Sequence, residues 1–348
     1  MIGLDISDRS LKIVEVDQAV DSRLRTAGWS PMAPNIIRSG VILDPAEVAR
    51  VIAETMKTTT PHPVAGNEVT VSIPERQSFV QVVNLPVMSG AEMTEAVQWA
   101  VKQHIPFDLE GVYIDWQPLI APHPQTGRQP VLVGAAQRSV VDPLLAVVDQ
   151  LGLTVVALEL EAQAIVRSLL PSNAVDVSGV LVVDLGATTT NVILFDRGAM
   201  RFTTSLRRGG DYLTETLAQR LHLEPSLAAE QKAVVGVRER STDDEVAETL
   251  RAAAQQLVEQ IQGIVQNIVA EATGAPQLQA ILLAGGAANL PGLVDVFGAV
   301  FPGVPVQIGN PLINLVDEDQ STTPIMSPAD ASHFATAIGL ALRERSYA

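Results

Sequence analysis

The stretch VVDLGATTTNVILF, residues 182–195, decides the fold, because a second copy of its pattern opens the chain as IGLDISDRSLKIVEV, residues 2–16. In each copy an apolar strand carries an Asp, a turn of small and hydroxylated residues follows, and a second strand begins. One copy alone predicts an ordinary β-hairpin with a polar turn as readily as it predicts a ligand site. Two copies about 180 residues apart predict a duplicated fold that closes on a phosphate from both sides.

The residue types in the second copy suit a phosphate and a divalent cation. Its first strand delivers Asp184 to the carboxyl end, where ligands bind in α/β sheets. Gly186 lets the backbone approach a ligand closely. The backbone NH groups of residues 187–190 form an anion-binding concavity beside the hydroxyls of Thr188 and Thr189. Next to a phosphate, the Asp184 carboxylate is expected to bind Mg²⁺ or its water ligands.

The first copy offers the same chemistry with a positive charge added. Asp5 takes the acidic position and is the second expected Mg²⁺ ligand, through water. Ser7, Asp8 and Ser10 line the turn. Lys12 is placed to reach a phosphate as a point charge.

Composition limits the remaining choices. The 348 residues are 47% hydrophobic and 18% charged, which predicts a folded protein of two or three domains or subdomains. A net charge of −16 argues against binding to nucleic acid or directly to an anionic membrane. The chain has no Cys, and its five His show no paired spacing, so the sequence predicts no disulfide, thiolate or metal motif of these residues.

Membrane insertion and secretion are not expected. The uncharged runs 272–294 and 296–316 are interrupted by Gly, Pro, Asn and Gln, which favours buried strands and turns over a spanning helix. No signal peptide precedes Asp5. These features predict a cytoplasmic protein.

Helix starts are marked by proline and capping residues. Asp44-Pro45 predicts a helix through residue 57, and Ser89 with Glu92 forms a capping box for a helix to residue 104, stopped by the Ile-Pro-Phe at 105–107. Asp142-Pro143 predicts the start of a helix that ends at Gly152. Thr242 is expected to cap the longest helix, which runs to about residue 272.

The segment ILLAGGAANLPGL, residues 281–293, resembles the adenosine-binding element of the actin-like ATPase superfamily. Residues 72–119, which include SIPERQSF, NLPVMSG and HIPFDLEG, are similar to the signature of the PilM family of type IV pilus assembly proteins, relatives of the bacterial division protein FtsA. The resemblance extends over essentially the whole chain. It implies an actin-like α/β fold with two ribonuclease-H-like domains flanking a nucleotide cleft, and a small inserted α/β subdomain.

The resemblance also implies a domain division and further site residues. Residues 1–84, 153–176 and 330–348 form the first actin-like subdomain, 85–152 the inserted subdomain, 177–225 and 275–329 the second actin-like subdomain, and 226–274 a helical subdomain. Carried over by motif, the additional nucleotide-binding residues are Gly209, Gly210, Lys232, Gly285 and Gly286. Glu161 opens the helix that carries the water-orienting catalytic residue in the superfamily, although an acid there also suits the helix dipole.

Two departures from the superfamily pattern bear on activity. Ser7 stands where the first hairpin usually has Gly, and Ala187 stands where actin has an acid. Both favour binding of ATP and Mg²⁺ with hydrolysis slow at best, so whether the chain is an enzyme stays open.

What the family implies is a cytoplasmic scaffold of the type IV pilus machinery, held at the inner membrane through its partner. That partner is the N-terminal cytoplasmic peptide of the membrane protein PilN, docked in a groove beside the inserted subdomain, with the motor ATPases as further partners. The alternatives are a small-molecule kinase on the same fold and an FtsA-like division filament protein.

Overall fold

A computed structural model describes residues 1–18, 22–102, 109–118, 126–238, 244–271, 276–316 and 325–343. Its strands are β1 (Ile2–Ile6), β2 (Ser10–Asp17), β3 (Arg23–Pro31), β4 (Ile37–Arg38), β5 (Val41–Ile42), β6 (Glu68–Ile73), β7 (Ser78–Pro86), β8 (Val112–Pro118), β9 (Arg128–Gln137), β10 (Thr154–Leu160), β11 (Val180–Leu185), β12 (Thr190–Asp196), β13 (Ala199–Leu206), β14 (Ala280–Ala284) and β15 (Val306–Ile308). Its helices are α1 (Pro45–Thr58), α2 (Gly90–Lys102), α3 (Arg138–Gln150), α4 (Glu161–Leu169), α5 (Gly210–Leu221), α6 (Pro225–Val235), α7 (Glu245–Glu271), α8 (Leu293–Val300), α9 (Pro328–Ala331) and α10 (Ala335–Ala341).

Two five-stranded sheets repeat one topology. The first has the order β3-β2-β1-β6-β10 and the second β13-β12-β11-β14-β15. In both, an antiparallel three-stranded meander is extended by two strands parallel to its first strand. The duplication predicted from the two hairpin patterns is therefore confirmed at the level of whole sheets.

The inserted unit is built on a third sheet with the order β7-β9-β8. One face packs against α2 through a cluster that includes Met93, Val97, Val131 and Val133. The other face contributes Leu132 to a core shared with α4 and the second five-stranded sheet. Side chains of a strand alternate between the two faces of a sheet. Strand β9 therefore contributes side chains to the core under α2 and to the core shared with α4.

Helix α10 packs closely against the first sheet and against α4. Gly3 on β1 and Gly339 on α10 lie at these contacts, where a Cβ would be 2.0 Å from the Ala337 oxygen and 1.8 Å from the Ala164 oxygen, respectively. The helix is buried along its whole length. Glycine is required here because the backbones approach too closely for any side chain.

Several local predictions are confirmed by the structure. The Asp44 side chain accepts a hydrogen bond from the Glu47 N–H at the start of α1, as an N-cap does. Ser89 and Glu92 form the reciprocal bonds of a capping box at the start of α2. The predicted helix stop at residues 105–107 and the predicted cap at Thr242 lie outside the described residues. At the start of α7, the Asp244 side chain accepts a hydrogen bond from the Ala247 N–H.

The predicted start of α3 at Asp142-Pro143 is wrong. The helix begins at Arg138, directly after β9, and Pro143 lies inside it. Val140 and Val141, which precede the proline, are buried at 4% and 2% exposure. Packing of this first turn therefore outweighs the hydrogen bond that proline removes from a helix.

The domain division stays a prediction, and two observations bear on its boundaries. The boundary proposed between residues 84 and 85 lies within β7, whose residues from Ser78 to Pro86 all pair with β9. Helix α3, assigned by the prediction to the inserted subdomain, contributes Leu144, Val147 and Val148 to the core of the first sheet.

Candidate nucleotide site

The two hairpins predicted from the sequence face each other across one cavity. The predicted residues that line it are Asp5, Ser7, Ser10, Lys12, Glu161, Asp184, Gly186, Thr188, Thr189, Gly285 and Gly286. They come from the ends of β1, β11 and β14, from the starts of β2 and α4, and from the turns between them. The duplicated topology explains why segments so distant in sequence meet, since β1 and β11 are equivalent central strands of the two sheets.

The first hairpin holds a buried ion pair. Asp5 is 3% exposed, and its Oδ2 accepts a hydrogen bond from Lys12 Nζ at 2.9 Å. The two residues are directly opposite each other in the β1–β2 register. Ser7 Oγ donates to Asp5 Oδ1 at 3.0 Å, so the serine that replaces the usual glycine serves to orient the carboxylate.

The second hairpin is held by backbone contacts that require glycine. Gly285 has φ of +85°, and a Cβ there would be 2.5 Å from Asp184 Oδ1. A Cβ on Gly209 would be 2.5 Å from the Gly186 oxygen. The Gly210 N–H donates to the same Gly186 oxygen at 2.9 Å. These glycines let the chain pack directly on the hairpin backbone.

Gly209, Gly210 and Lys232 are not among the residues that line the cavity. Lys232 on α6 donates from Nζ to the Gly210 oxygen at 2.8 Å, at the start of α5. In this conformation the three residues do not face the cavity. Gly209 and Gly210 pack against the second hairpin, and Lys232 binds Gly210. Burial lowers the pKa of the Lys232 amine, and the nearby Asp211 carboxylate opposes that effect.

The carboxyl groups of the cleft carry more negative charge than Lys12 balances. Burial, with Asp5, Asp184 and Glu75 nearby, raises the pKa of Glu161 to about 8. Burial and the Asp5 carboxylate raise the pKa of Asp184 to about 6, although Lys12 acts in the opposite direction. Because like charges in a desolvated site disfavour ionisation, this cluster is poised to accept a cation or a proton.

Two polar residues that the sequence analysis did not single out complete the cleft. Asn191 is 2% exposed, and its Nδ2 donates to Glu161 Oε2 at 3.0 Å and to Asp184 Oδ2 at 3.4 Å. Glu75, after β6, accepts from Thr203 Oγ1 at 2.7 Å and joins the two halves. Asn191 could have been found from its position in the second hairpin, because it lies directly opposite Asp184 in the β11–β12 register.

The carboxylates and the two hairpin turns fit a hydrated Mg²⁺ ion. Mg²⁺ takes one or two protein carboxylates and keeps waters or phosphate oxygens as its other ligands, and Asp5 and Asp184 both line the cavity. Asn191 Oδ1 is buried beside them, and it has no hydrogen-bond partner among the described residues. In the described part of the chain, no group of three or more His, Cys, Asp or Glu is arranged to hold a metal without such additional ligands.

Contacts between the two halves keep the cleft narrow. Arg9 Nε donates to Asp211 Oδ2 at 2.9 Å, and Thr188 Oγ1 donates to Asp8 Oδ2 at 3.4 Å. The cavity measures about 170 Å³, below the roughly 300 Å³ of most small-molecule pockets. A whole nucleotide requires the halves to separate, and the exposed Arg9–Asp211 pair opposes this by only about 0–1 kcal/mol.

A larger groove of about 2000 Å³ lies beside the inserted sheet. It is bounded by β8, β9, one face of α4 and residues near the turn between β12 and β13. Leu132, Leu160 and Met200 contribute apolar surface. On the wall, Arg167 and Arg343 both pair with the buried carboxylate of Glu159.

Comparison with known families identifies the chain. The sequence model of the family described as "Type IV pilus assembly protein PilM" matches residues 3–345. The chain belongs to the PilM family. The family match covers both hairpins, the inserted sheet and the groove, so the fold and both concavities described above are features of a PilM-family protein.

Individual relatives agree with an actin-like fold. The cell division protein FtsA of Neisseria meningitidis serogroup B is 26% identical over 374 residues, covering 98% of this chain and 86% of FtsA. A solved PilM-PilN type IV pilus biogenesis complex has a TM-score of 0.85 at 24% identity, covering 98% of this chain and 97% of that one. MreB5 of Spiroplasma citri bound to AMPPNP has a TM-score of 0.54 at 12% identity, covering 97% and 93%.

Within the described residues, no helix combines the length and the apolar character needed to cross a bilayer.

Proposed function

We propose that this PilM-family protein is an ATP-binding scaffold of the type IV pilus machinery that binds the N-terminal peptide of PilN. The observation that carries the nucleotide part is the meeting of Asp5, Lys12 and Asp184 in one buried cavity between two phosphate-type hairpins. Asp5 and Asp184 lie 179 positions apart in the sequence. A cleft that brings such carboxylates together, away from water and with excess negative charge, is typical of a functional site.

The main residues of the cleft have separate roles in the proposed binding of Mg-ATP. Asp5 and Asp184 would hold Mg²⁺, which when bound neutralises charge on the phosphates. Lys12 would contact a phosphate oxygen, and the backbone of the second hairpin would donate to the phosphate chain. Gly285 packs directly on the second hairpin, and Gly286 would let the nucleoside approach the backbone at the end of β14.

The same geometry supports slow hydrolysis. Ser7 in the first hairpin and Ala187 in the second depart from the superfamily pattern, and both favour binding over turnover. The Glu161 carboxylate already accepts a hydrogen bond from Asn191 Nδ2. We therefore expect the site to hold ATP and to hydrolyse it slowly at best, and bound ATP would fix the relation of the two halves.

Replacing Asp184 with Asn tests the nucleotide part. We expect the affinity for Mg-ATP to fall about 10- to 100-fold, the range seen when groups that support a bound metal are lost. Isothermal titration with Mg-ATP measures the change. Asp149→Asn, an equal substitution on the exposed surface of α3, is the control and should bind like the original chain. Equal affinities for all three proteins would show that the nucleotide does not bind at the paired hairpins.

The groove beside the inserted sheet is the proposed PilN site. Its volume of about 2000 Å³ could take a peptide, and it lies against the face of α4 that carries Val166. The similar PilM-PilN complex covers almost the whole of this chain. The net charge of −16 favours a partner segment that carries basic residues.

Filling the groove with a phenyl ring tests the partner site. A Cβ on Gly134 of β9 would meet Leu160 Cδ1 at 3.8 Å, an ordinary contact, and the rest of the side chain would extend into the groove. We expect Gly134→Phe to weaken binding of a synthetic PilN N-terminal peptide at least ~10-fold, about 1.4 kcal/mol. Fluorescence anisotropy of a labelled peptide provides the measurement.

Gly90→Phe is the matched control for the groove variant. Gly90 also lies in the inserted unit, and nothing is within 4 Å of a Cβ at that position. It should leave peptide binding unchanged. Equal weakening by both variants, or by neither, would argue against the groove as the PilN site.

The proposed scaffold function also predicts the cellular location of the chain and its further partners. With PilN anchored in the inner membrane, the chain would be held at the cytoplasmic face through its partner, where it could contact the pilus motor ATPases. This placement needs no membrane segment in the chain itself.

A further inference from the structure

The turn between β4 and β5 donates two backbone N–H groups to a carboxylate of the first hairpin. Ser39 and Gly40 form this two-residue turn, with φ values of +55° and +78°. The Ser39 N–H donates to Asp8 Oδ2 at 2.9 Å, and the Gly40 N–H donates to Asp8 Oδ1 at 2.8 Å. Successive N–H groups that converge in this way form an anion-binding concavity. Here the anion is a side chain of the same protein.

The other half of the molecule supplies a third donor to this carboxylate. Thr188 Oγ1, in the turn of the second hairpin, donates to Asp8 Oδ2 at 3.4 Å. Thr188, Asp8 and both residues of the β4–β5 turn line the cavity between the two hairpins. Asp8 therefore places a negative charge at the point of the cavity where donors from both halves meet.

The β4–β5 turn keeps its shape through contacts other than the bound carboxylate. Gln77 Nε2 donates to the Ser39 oxygen at 2.6 Å. A Cβ on Gly40 would be 2.6 Å from Pro74 Cγ, so the turn packs directly on the segment that follows β6. Ile37 at the start of β4 is buried in the core of the first sheet. The two N–H groups are therefore directed into the cavity by the fold itself, without the help of the anion that they bind.

The Asp8 carboxylate adds negative charge to a cleft whose other carboxylates already exceed what Lys12 balances. Asp8 is half-buried and precedes the exposed Arg9, so rotation of its side chain can carry the carboxylate out to solvent. The positive φ of Ser39 is uncommon for a residue with a Cβ, and such conformations cluster at ligand sites. Together these features favour a site built for an external anion and occupied by an internal one.

We propose that the Ser39-Gly40 turn and Thr188 form a binding site for a phosphate group of the nucleotide, and that Asp8 competes for this site. This inference rests on the proposed binding of Mg-ATP and adds to it a phosphate site and a means of regulation. A phosphate oxygen in place of the carboxylate accepts from the same donors, which belong to both halves, so the nucleotide joins the halves as Asp8 does. Displacing Asp8 into solvent lowers the affinity of the original chain for the nucleotide.

Replacing Asp8 with Ala tests the competition. We expect the variant to bind Mg-ATP about 10-fold more tightly or better, because the nucleotide no longer displaces hydrogen bonds to a charged group. Asp8→Asn, which keeps the size of the side chain and removes its charge, should change the affinity in the same direction. Isothermal titration measures both. Asp149→Ala removes one negative charge from the exposed surface of α3, and as the control it should bind like the original chain.

Amide hydrogen exchange at Ser39 and Gly40 shows whether a phosphate takes the place of the carboxylate. Without nucleotide, both amides should exchange faster in Asp8→Ala than in the original chain, because their acceptor is gone. Saturating Mg-ATP should restore their protection in the variant. Tighter binding without restored protection at these two amides would overturn the phosphate site at the turn.

A double variant separates failure of this inference from failure of the proposed function. Asp8→Ala combined with Asp184→Asn should bind Mg-ATP about 10- to 100-fold more weakly than Asp8→Ala alone. Binding by the original chain that Asp8→Ala leaves unchanged or weakens overturns this inference alone. Absence of Mg-ATP binding in both the original chain and Asp8→Ala, or equal affinities of the single and double variants, overturns the proposed nucleotide site and this inference with it.

Discussion

Replacing Gly339 with Ala is expected to destabilise the folded chain by about 3 kcal/mol or more, the upper end of the overpacking range. A Cβ at this position would be 1.8 Å from the Ala164 oxygen and 2.4 Å from its carbonyl carbon. Both are backbone atoms of α4, so relief requires α10 to shift as a unit. Such a shift would also disturb the equally close contact of α10 with β1 at Gly3.

Gly263→Ala is the matched control for Gly339→Ala. Gly263 lies inside α7, and nothing is within 4 Å of a Cβ there. Alanine should stabilise this helix by about 0.5–1 kcal/mol, because glycine carries the larger entropy loss. The same substitution is thus expected to have opposite signs at two helical positions. Denaturant unfolding of both variants measures this, and changes of the same sign would contradict the packing described for α10.

Replacing Lys12 with Met is expected to lower the free energy of unfolding by about 3–5 kcal/mol at pH 8, the cost of leaving a buried charge unpaired. Lys12 Nζ is 2.9 Å from Asp5 Oδ2, and the Asp184 and Glu161 carboxylates also act to raise the pKa of Lys12. Without the amine, Asp5 and its neighbours would face one another in a desolvated cleft. Mg-ATP binding should be lost as well, because Lys12 is the proposed phosphate contact.

The penalty at Lys12 should shrink at pH 5. Asp184 and Glu161 already have folded pKa values of about 6 and about 8, above their ordinary values. A carboxyl group with a raised folded pKa contributes stability below its unfolded pKa and loses that contribution as the pH rises through the folded value. Lys12 lowers the pKa of Asp184, so removing Lys12 raises that pKa further. The variant therefore goes on losing stability above about pH 6, where Asp184 of the original chain is already ionised.

Unfolding free energies at pH 5 and pH 8 separate this electrostatic effect from lost packing. Lys57→Met, at an exposed position in the last turn of α1, is the control and should behave like the original chain at both values. A Lys12→Met penalty of equal size at pH 5 and pH 8 would assign the loss to packing and contradict the carboxylate cluster.

Features that depend on neighbouring residues could be predicted from the sequence. Asp44 caps α1, and Ser89 and Glu92 form their capping box at the start of α2. The two hairpins and the glycine turn at Gly285 were also predictable from neighbouring residues. Each is specified by residue types at fixed short spacings, which set local backbone geometry before any distant contact forms.

Features that join distant segments of the chain could not be predicted and became visible in the three-dimensional structure. Helix α3 starts at Arg138 in spite of Pro143 because Val140 and Val141 find buried sites. Lys232 on α6 donates a hydrogen bond to the Gly210 oxygen at the start of α5 and does not line the cleft. Glu75 reaches Thr203 across the two halves, 128 positions along the chain. The order β7-β9-β8 of the inserted sheet is of the same kind, because packing and strand pairing depend on sequence separations that no local pattern encodes.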